Sequence, residues 1–454
     1  MLETFVFLIL TLATAIAEIW QKFNKSFNYY NYQLSYWSRR GIPGPKGELF
    51  WGNLKAVTGR EYVNVFQIRD WSKKFPRYFG IKKGCRNTLV ISDADLAHEV
   101  LVRKFEYFHA HEPQPLEDDS DNNKNVLIFT SHGLRWKRLR TTSNPIFSVT
   151  NLKKIMPTMY DSIEHLMEHF KTVENKPINI HPIFQEVTMD IISRIALGQN
   201  GSNLFKNLYI DYAKGIFMSP IDDLQHTAPQ MFPFIKKPIR MFSELYKTGI
   251  RASSNSLTTN LFKEVMKRKN ERETMKENKT EKKLVDFIDL FLDAEVPEQK
   301  HSDTMGVLDK RNLKVSKELS VNEIVGQCLI FLLAGYDTTA NSLSFVCYEL
   351  IKNPETLQKL VEEIDDHLFE SDSEDLSYEK INQMKYLDSV IKESLRLHPI
   401  AGNAVNRHCM ETTEIGEKEK IQIEKGTNIT IDVLTINYSE KLWGPEPEKF
   451  NPDR

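Results

Sequence analysis

The sequence predicts a mainly α-helical protein with small β-sheets, an α+β chain built around one long helix. Residues Ser320–Lys352 predict a single helix about 48 Å long, enough to cross a whole domain. Leu152–Phe170 and Ile183–Leu197 carry apolar residues at helical spacing. Short strand patterns occupy Arg77–Ile81 and Asn87–Ser92. Long helices with a few short strands therefore define the expected class.

Composition limits the function classes. The chain has 454 residues, of which 41% are hydrophobic and 27% charged, enough for one large domain or two. The net charge of -2 provides no bulk attraction to nucleic acid, which is therefore not an expected partner. The cysteines form no C-x-x-C pair and suit a reducing compartment. They are Cys85, Cys328, Cys347 and Cys409.

The amino terminus carries an uncharged apolar segment, Thr4–Ala17. It is short for a spanning helix, which needs about 17–25 residues. A cleaved secretory signal would suit the triplet Ala15-Ile16-Ala17, but the acidic Glu3 does not suit its usual basic start. Basic residues after the segment favour an uncleaved anchor, with the remainder in the cytosol. We therefore predict a membrane anchor at residues 1–20.

A linker follows the predicted anchor. Residues 21–47 are polar and aromatic and end in Gly41-Ile-Pro-Gly-Pro-Lys-Gly47. Two prolines among three glycines predict a stiff, turned hinge, with an ordinary loop as the alternative. Residues 48–454 are then predicted to form the globular domain.

A basic helix is predicted around Ser131–Arg140, where Trp136 and Arg140 lie four residues apart on one face. An aromatic ring with a cation beside it suits an anionic ligand, although a basic surface helix is the commoner explanation. Lys137 and Arg138 are expected to point away from this face.

The central helix has clear ends. Ser320 and Glu323 form a capping box at its start, and Asn353-Pro354 ends it. Between Ile324 and Tyr348 it is apolar on nearly every side, which predicts burial. Asp337 is the one charged residue in that run, and a buried carboxylate is costly unless it is paired or hydrogen-bonded. It could serve proton chemistry, cap a kink or meet an arginine.

Asp337 lies in the sequence Ala334-Gly335-Tyr336-Asp337-Thr338-Thr339. Gly335 leaves a notch one turn before the threonines, where a flat ligand or a small molecule could approach. The alternative for the threonines is a hydroxyl bond to the carbonyl four residues earlier.

Three further segments contribute to the expected organisation. Leu204–Phe242 is rich in Phe, Met, Ile and Pro, which leaves core packing, a pocket wall or membrane contact open. Asp388–Leu397 predicts a helix with Glu393 and Arg396 side by side. Lys420–Val433 alternates like a β-hairpin.

These motifs follow one another in a fixed order: an anchor, a Pro-Gly hinge, Trp-x-x-x-Arg, Ala-Gly-x-Asp-Thr-Thr, Glu-x-x-Arg and Phe-x-Pro-x-Arg. Together they strongly resemble the cytochrome P-450 superfamily of haem-thiolate monooxygenases, in its microsomal form. The likeness covers essentially the whole chain and looks closest to animal branches that oxidise steroids and foreign compounds. It implies a P-450-like fold, with residues 48–454 as the catalytic domain.

The resemblance assigns roles to the central helix. Asp337 and Thr338 would deliver protons to dioxygen during its activation, because an acid and a hydroxyl can relay protons while apolar walls exclude water. Ala334 and Gly335 would leave room for oxygen beside a haem. A flat cavity is therefore expected between this helix and the Trp136 segment.

The resemblance also assigns haem and partner contacts. Trp136, Arg140 and Arg407 would hold the haem propionates, since a guanidinium binds a carboxylate through two parallel hydrogen bonds. Lys137 and Arg138 would belong to the basic surface on which a reductase docks, and that reductase would supply electrons from NADPH. The expected substrates are O2 and a small lipophilic molecule such as a steroid, fatty acid or foreign compound.

An ion triad of Glu393, Arg396 and Arg454 is the remaining structural site that the resemblance implies. The implied location is the endoplasmic reticulum membrane, with the catalytic domain facing the cytosol.

One expected residue is missing. The family places its iron ligand in Phe-x-x-Gly-x-Arg-x-Cys-x-Gly, shortly after Phe-x-Pro-x-Arg, and the sequence ends at Arg454 before that point. Cys409 follows Arg407 by two residues but lacks the rest of the motif, so no metal ligand is identified.

We therefore expect a C-terminally incomplete chain, lacking the ligand loop and the helix after it, that folds poorly and shows no thiolate-type carbon monoxide band. The alternatives are a membrane-anchored monooxygenase, represented by an incomplete gene model or a truncated allele, and a catalytically dead relative, either a degenerate product or an interaction partner of reductase.

Overall fold

A computed structural model gives the fold of this chain. It describes residues 21–454 except 22, 23, 26, 60, 61, 117–126, 174, 175, 219–221, 247–249, 278–285, 296–314, 370–376 and 418. Helices dominate and the sheets are small, which confirms the predicted class. The predicted anchor at 1–20 lies outside the described residues. Within them, no helix combines the length and apolarity that crossing a membrane requires.

Helices occupy most of the described chain. In order they are α1 Leu54–Thr58, α2 Asn64–Lys74, α3 Ala94–His98, α4 Gly133–Ser143, α5 Val149–Thr172, α6 Ile180–Leu197, α7 Tyr209–Phe217, α8 Leu224–Met231, α9 Lys236–Tyr246, α10 Ile250–Glu277, α11 Phe287–Leu292, α12 Val321–Lys352, α13 Pro354–Phe369, α14 Tyr378–Gln383, α15 Lys385–Leu397, α16 Val433–Asn437 and α17 Glu440–Trp443.

The strands form two small sheets. They are β1 Tyr78–Lys83, β2 Arg86–Ile91, β3 Asn406–His408, β4 Thr413–Ile415, β5 Ile421–Ile423 and β6 Asn428–Ile431. The larger sheet has the order β1-β2-β6-β3, and β6 runs parallel to β2 but antiparallel to β3. The smaller sheet pairs β4 with β5. The first sheet thus joins residues 78–91 to residues 406–431, which are far apart in the sequence.

The predicted hairpin across Lys420–Val433 is wrong in its pairing. The turn exists, because the Thr427 amide donates to the Glu424 carbonyl at 3.0 Å. The strands on either side of it, however, belong to different sheets. Alternating apolar residues place one face of each strand in a core, but they do not say which partner the strand has.

The central helix α12 begins and ends as predicted. Ser320 is its N-cap, and both bonds of the capping box with Glu323 are present. It packs along α6, where the Thr188 hydroxyl donates to the Tyr336 carbonyl at 2.8 Å. The predicted all-round burial holds only for the first half of α12. Ala334, Thr339 and several later side chains are exposed, so the second half forms a wall with one open side.

A buried ion pair fixes α4 to the start of α12. The guanidinium of Arg138 is 2% exposed and donates to both carboxylate oxygens of Glu323, at 2.6 and 3.0 Å. It also donates to the Glu318 carbonyl at 2.7 Å. Arg138 therefore does not belong to a basic docking surface, and that part of the sequence interpretation is wrong. The carboxylate that caps α12 holds this arginine inside the protein.

Replacing Arg138 should destabilise the fold. Arg138→Met leaves the Glu323 carboxylate buried without its cation, which costs about 3–5 kcal/mol for a buried pair. Urea unfolding measures this loss as a lower transition midpoint. The exposed Arg140→Met on the same helix should change stability by about 0.5 kcal/mol or less, as surface substitutions do. Equal losses for the two variants would contradict the role of the ion pair.

Candidate functional site

A cavity of about 630 Å³ opens along the second half of α12. Asp337 and Thr338 line it together with Asn341 and Phe345, which follow on the same side of the helix. The opposite walls come from α2, from the segment after α15 and from the end of β6. Their lining residues include Val63, Val65, Phe66, Arg69, His398, Ile400, Thr430, Ile431 and Val433. The cavity thus brings an acid and a hydroxyl to a mostly apolar space.

The Asp337 carboxylate is held by hydrogen bonds between helices. Gln185 of α6 donates to Oδ1 at 2.7 Å, and Asn341 of α12 donates to Oδ2 at 3.0 Å. His181, one turn before Gln185, places Nε2 3.6 Å from Oδ1. The Asp337 side chain is 26% exposed. It is therefore a partly solvated acid with two fixed donors, and no arginine is among these partners.

Thr338 makes the local bond that the sequence left open. Its hydroxyl donates to the Ala334 carbonyl at 2.6 Å, four residues earlier. The hydroxyl oxygen can still accept a hydrogen bond. After rotating away from the Ala334 carbonyl, the hydroxyl can also donate one to a group in the cavity. The two adjacent residues Asp337 and Thr338 therefore both reach the cavity.

Gly335 lies elsewhere than expected. A methyl group added at its Cα would sit 3.1 Å from the Ile192 side chain of α6. The missing side chain consequently serves the close approach of α6 and α12, and the notch is not on the open face of the helix. Ala334 is the exposed small residue there. The sequence pattern found a small residue but could not identify the element opposite it.

Trp136 and Arg140 lie on α4, away from the residues that line the cavity. Trp136 is half-buried against Phe105 and His109, with ring centroids at 5.5 and 6.2 Å, while Arg140 is exposed. The expected cavity between α12 and the Trp136 segment is thus not the one described above. Trp136 instead packs on the segment 105–109, which leads to the bridge between Ala110 and His408 of β3.

Arg407 reaches the same region from β3. Its Nη1 lies 3.4 Å from His111 Nδ1, and the neighbouring His408 amide donates to the Ala110 carbonyl. Trp136 therefore contacts His109 at one end of residues 109–111, and Arg407 contacts His111 at the other end. The structure brings these two predicted haem-binding residues to one segment.

Arg407 has the properties of an anion-binding group. Its Nη1 donates to the Asn406 carbonyl at 2.7 Å, but its Nε is buried without a hydrogen-bond partner, and no described carboxylate acts on its charge. Burial lowers the pKa of this guanidinium below its ordinary value. Leaving a buried cation uncompensated is costly, so an anionic ligand such as a haem propionate fits here.

The four cysteines fit a haem less well. None is among the described residues that line the cavity. Cys409 is buried and donates to the Glu411 carbonyl at 3.0 Å, and burial raises the pKa of its thiol to about 11. Burial also raises the pKa of Cys85, Cys328 and Cys347. A cysteine ligates iron as its thiolate, and these surroundings favour the protonated thiol instead.

The predicted ion triad is assembled in the structure. Arg396 donates to both oxygens of Glu393 at 2.7 and 2.8 Å, and Arg454 Nε lies 3.2 Å from Oε1. Burial alone would raise the pKa of Glu393, but bonds from Arg396 and the Asn451 amide outweigh it and lower the pKa. Arg396 also donates to the Asn437 carbonyl at 2.6 Å. The triad thereby ties α15 to the last described segment.

His109, which sequence reasoning missed, fixes the start of α4. Its Nδ1 lies 2.9 Å from the Glu106 carbonyl, and its Nε2 accepts from the Gly133 amide at 2.8 Å. This pattern requires a neutral imidazole. Burial accordingly lowers the pKa of His109 from 6.5 to about 4. Nothing in the local sequence marks a histidine whose partner lies in a different helix.

Acid should weaken the fold through His109. Between pH 6.5 and about 4 the unfolded chain binds a proton at this residue that the folded chain does not, so stability falls as the pH falls. The shift corresponds to about 3 kcal/mol at most. Unfolding by urea at pH 7 and pH 4.5 should show a smaller pH effect for His109→Gln than for the unaltered chain. The control His98→Gln, at an exposed position, should keep the full pH effect. If His109→Gln loses as much stability between pH 7 and pH 4.5 as the unaltered chain, His109 does not have this role.

Comparison with known proteins identifies the family. The family model described as Cytochrome P450 matches residues 42–454. A putative cytochrome P450 CYP13A3 from Caenorhabditis elegans is 38% identical over 435 residues, covering 94% of this chain and 82% of the relative. A putative cytochrome P450 CYP13A2 from the same organism is 35% identical, covering 98% and 85%. The family model and these relatives span nearly all of the chain, which therefore belongs to the cytochrome P450 family of haem-thiolate monooxygenases.

Proposed function

We propose that this protein is a monooxygenase that inserts one oxygen atom of O2 into a small lipophilic substrate. The observation that carries the proposal is the pairing of Asp337 and Thr338 at the wall of a largely apolar cavity. A haem, when bound, supplies the activation of O2. An acid and a hydroxyl beside it supply protons, and the apolar walls limit the entry of bulk water.

Asp337 would act as the proton source at the cavity. Gln185 and Asn341 fix the carboxylate in position, and amides cannot themselves donate a proton to it. Thr338 stands next to it with a hydroxyl that can pass a proton on after leaving the Ala334 carbonyl. Protons would thus pass from Asp337 into the cavity, and the adjacent Thr338 hydroxyl would be the next group on their path.

The haem propionates would be held by Arg407, with Trp136 and Arg140 from α4. The argument rests on the uncompensated charge of Arg407, which a carboxylate would neutralise. The exposed Arg140 would add a second cation at the edge, and the Trp136 ring would supply an apolar contact. The propionate edge would then lie beside residues 109–111, which Trp136 and Arg407 contact from opposite ends.

Electrons would come from NADPH through a separate reductase, as the family implies. The substrate class follows from the cavity wall, where Val65, Phe66, Phe345 and Ile400 present apolar surface. Such a wall favours a steroid, a fatty acid or a foreign compound over a polar metabolite.

Haem binding tests the proposal directly. Arg407→Leu removes the buried cation, so haem affinity should fall about 10- to 100-fold, the equivalent of one charge-assisted hydrogen bond of about 1.5–3 kcal/mol. The haem-free chain should become no less stable, because an uncompensated charge has been removed. Absorbance titration and urea unfolding measure the two effects. The exposed Arg77→Leu is the control, and equal haem affinity in both variants would contradict the propionate site.

A relative without turnover is the second candidate function, and the surroundings of the four cysteines favour it if one of these four has to ligate the iron. In that case the chain binds haem without a thiolate. The carbon monoxide difference spectrum of the reduced, haem-loaded protein separates the two candidates: a thiolate-type band supports the monooxygenase, and a band typical of a neutral ligand supports the inactive relative.

We further propose that the protein lies on the endoplasmic reticulum membrane and faces the cytosol. The support is an exposed apolar surface, which we call the α9 face, around the segment from α7 to α9. Its most exposed members are Met218, Leu224, Phe234, Met241, Phe242, Leu245 and Tyr246. Contiguous exposed apolar side chains of this size mark an interaction surface, and a bilayer is the partner that a membrane anchor would bring near.

A spin label should report membrane contact of the α9 face. On full-length protein bound to vesicles, a label at Leu245→Cys should be relaxed strongly by dissolved oxygen and weakly by an aqueous nickel complex. Ile351→Cys is the matched control, because Leu245 and Ile351 are 75% and 76% exposed. The control label should show the reverse preference. Aqueous behaviour at both positions would contradict membrane contact of this face.

A further inference from the structure

The pair formed by His181 and Asp337 has no place in the functions described so far. His181 is the second residue of α6, and its backbone amide donates a hydrogen bond to Asn179 Oδ1 at 3.3 Å. Its ring extends toward α12, where Nε2 lies 3.6 Å from Asp337 Oδ1. Gln185, on the same face one turn later, already bonds that oxygen. The first turns of α6 therefore surround one oxygen of the carboxylate.

Asp337 joins two environments. One side of the residue lines the cavity, beside Thr338. The other side meets His181, whose side chain is 34% exposed. The Nε2 atom itself is buried and has no hydrogen-bond partner among the described residues. The imidazole consequently turns one nitrogen toward the carboxylate, while part of the ring remains in solvent.

The neighbouring groups cannot replace His181 as a proton source. Gln185 and Asn341 are amides, and the Thr338 hydroxyl is bonded to a carbonyl. Burial first, and then the charges of nearby carboxylates, raise the pKa of Tyr336, which keeps its proton. The carboxylates concerned are Asp337 itself, Glu186 on α6 and Asp211 on α7. In the described part of the chain, His181 is the basic side chain within 4 Å of Asp337.

We propose that His181 is the positioning residue that returns protons from solvent to Asp337, an inference that rests on the proposed monooxygenase function. Solvent hydronium protonates Nδ1 of the neutral ring, and the resulting imidazolium transfers its Nε2 proton to Oδ1 of the carboxylate. The ring then carries its proton on Nδ1 and regains the starting tautomer when its protons exchange with solvent. Oδ1 has two lone pairs, so it accepts from Gln185 and His181 together. The gap closes when a small ring movement brings the atoms to about 2.8 Å, the length of a charge-assisted hydrogen bond.

The first test measures the pair itself, without haem turnover. Melting temperatures are compared for the unaltered chain, His181→Gln, Asp337→Asn and the double variant, at pH 6 and pH 9. At pH 6 the two single effects should be non-additive, because each removes the same charged contact. At pH 9 the effects should become additive, because histidine side chains in general carry their charge only at lower pH.

A conservative variant separates charge from packing. His181→Lys keeps a cation at this position, so its coupling to Asp337 should persist at pH 9. If the non-additivity of His181→Gln and Asp337→Asn is the same at pH 6 and pH 9, the two residues share a packing contact only. Additive effects at both pH values would likewise overturn the proposal.

The second test uses the loaded protein with reductase and follows the fraction of NADPH electrons that appears as peroxide. A general acid–base group contributes roughly 10²- to 10⁴-fold to a reaction rate, and we expect a group that acts through another one to contribute about tenfold. His181→Gln should therefore raise the peroxide fraction about tenfold at unchanged substrate affinity. The matched control is His165→Gln, which alters a histidine 3.9 Å from Asp161 on α5, away from the cavity residues.

The two tests distinguish failure of this inference from failure of the proposed function. If the unaltered protein oxidises substrate and His181→Gln behaves like His165→Gln, the role of His181 is refuted and the monooxygenase remains. If no preparation oxidises substrate but the melting temperatures couple at pH 6, the His181–Asp337 contact stands and the proposed function fails.

Discussion

The buried ion pair between Arg138 and Glu323 is the constraint on which the arrangement of the site depends. It fixes α4, which carries Trp136 and Arg140, against the first turn of α12. Asp337 lies four turns further along the same rigid helix, about 20 Å away. The position of the Trp136 and Arg140 helix relative to Asp337 is thereby constrained by one charge contact and by the stiffness of a helix. Glu323 serves both roles at once, because its carboxylate caps α12 and neutralises the arginine.

Local signals predicted those parts of the fold whose cause is local. The caps of α12, the proline start of α13 and the helical spacing of α6 all depend on residues within a few positions of each other. Pairings between distant segments were not predictable in this way. The alternation of β5 and β6 was read correctly as extended chain, but their partners lie in different sheets.

The candidate site shows the same division. The position of Asp337 and Thr338 on one helix followed from the motif, and the ion triad followed from the resemblance. The burial of Arg138, the packing of Gly335 on Ile192 and the approach of His181 to Asp337 all depend on which helix lies opposite. A single sequence does not show which helix lies opposite a residue, since the same basic or small residue suits a surface, a helix crossing or a ligand site. Even Asp337 departs from the expected picture, because amides of α6 and α12 hold it at a partly wet boundary.

The parallel pairing of β6 with β2 has a consequence for synthesis. Thr88 to Ile91 pair with Asn428 to Ile431, so β2 leaves the ribosome long before its partner has been translated. At about 5–20 residues per second, the open edge of β2 waits on the order of 20–70 s. During that interval the nascent chain carries a hydrophobic strand beside a single antiparallel neighbour, β1. The topology therefore leaves one edge of β2 unpaired during synthesis, and a stall in translation downstream of β2 would prolong the time in which this edge can aggregate.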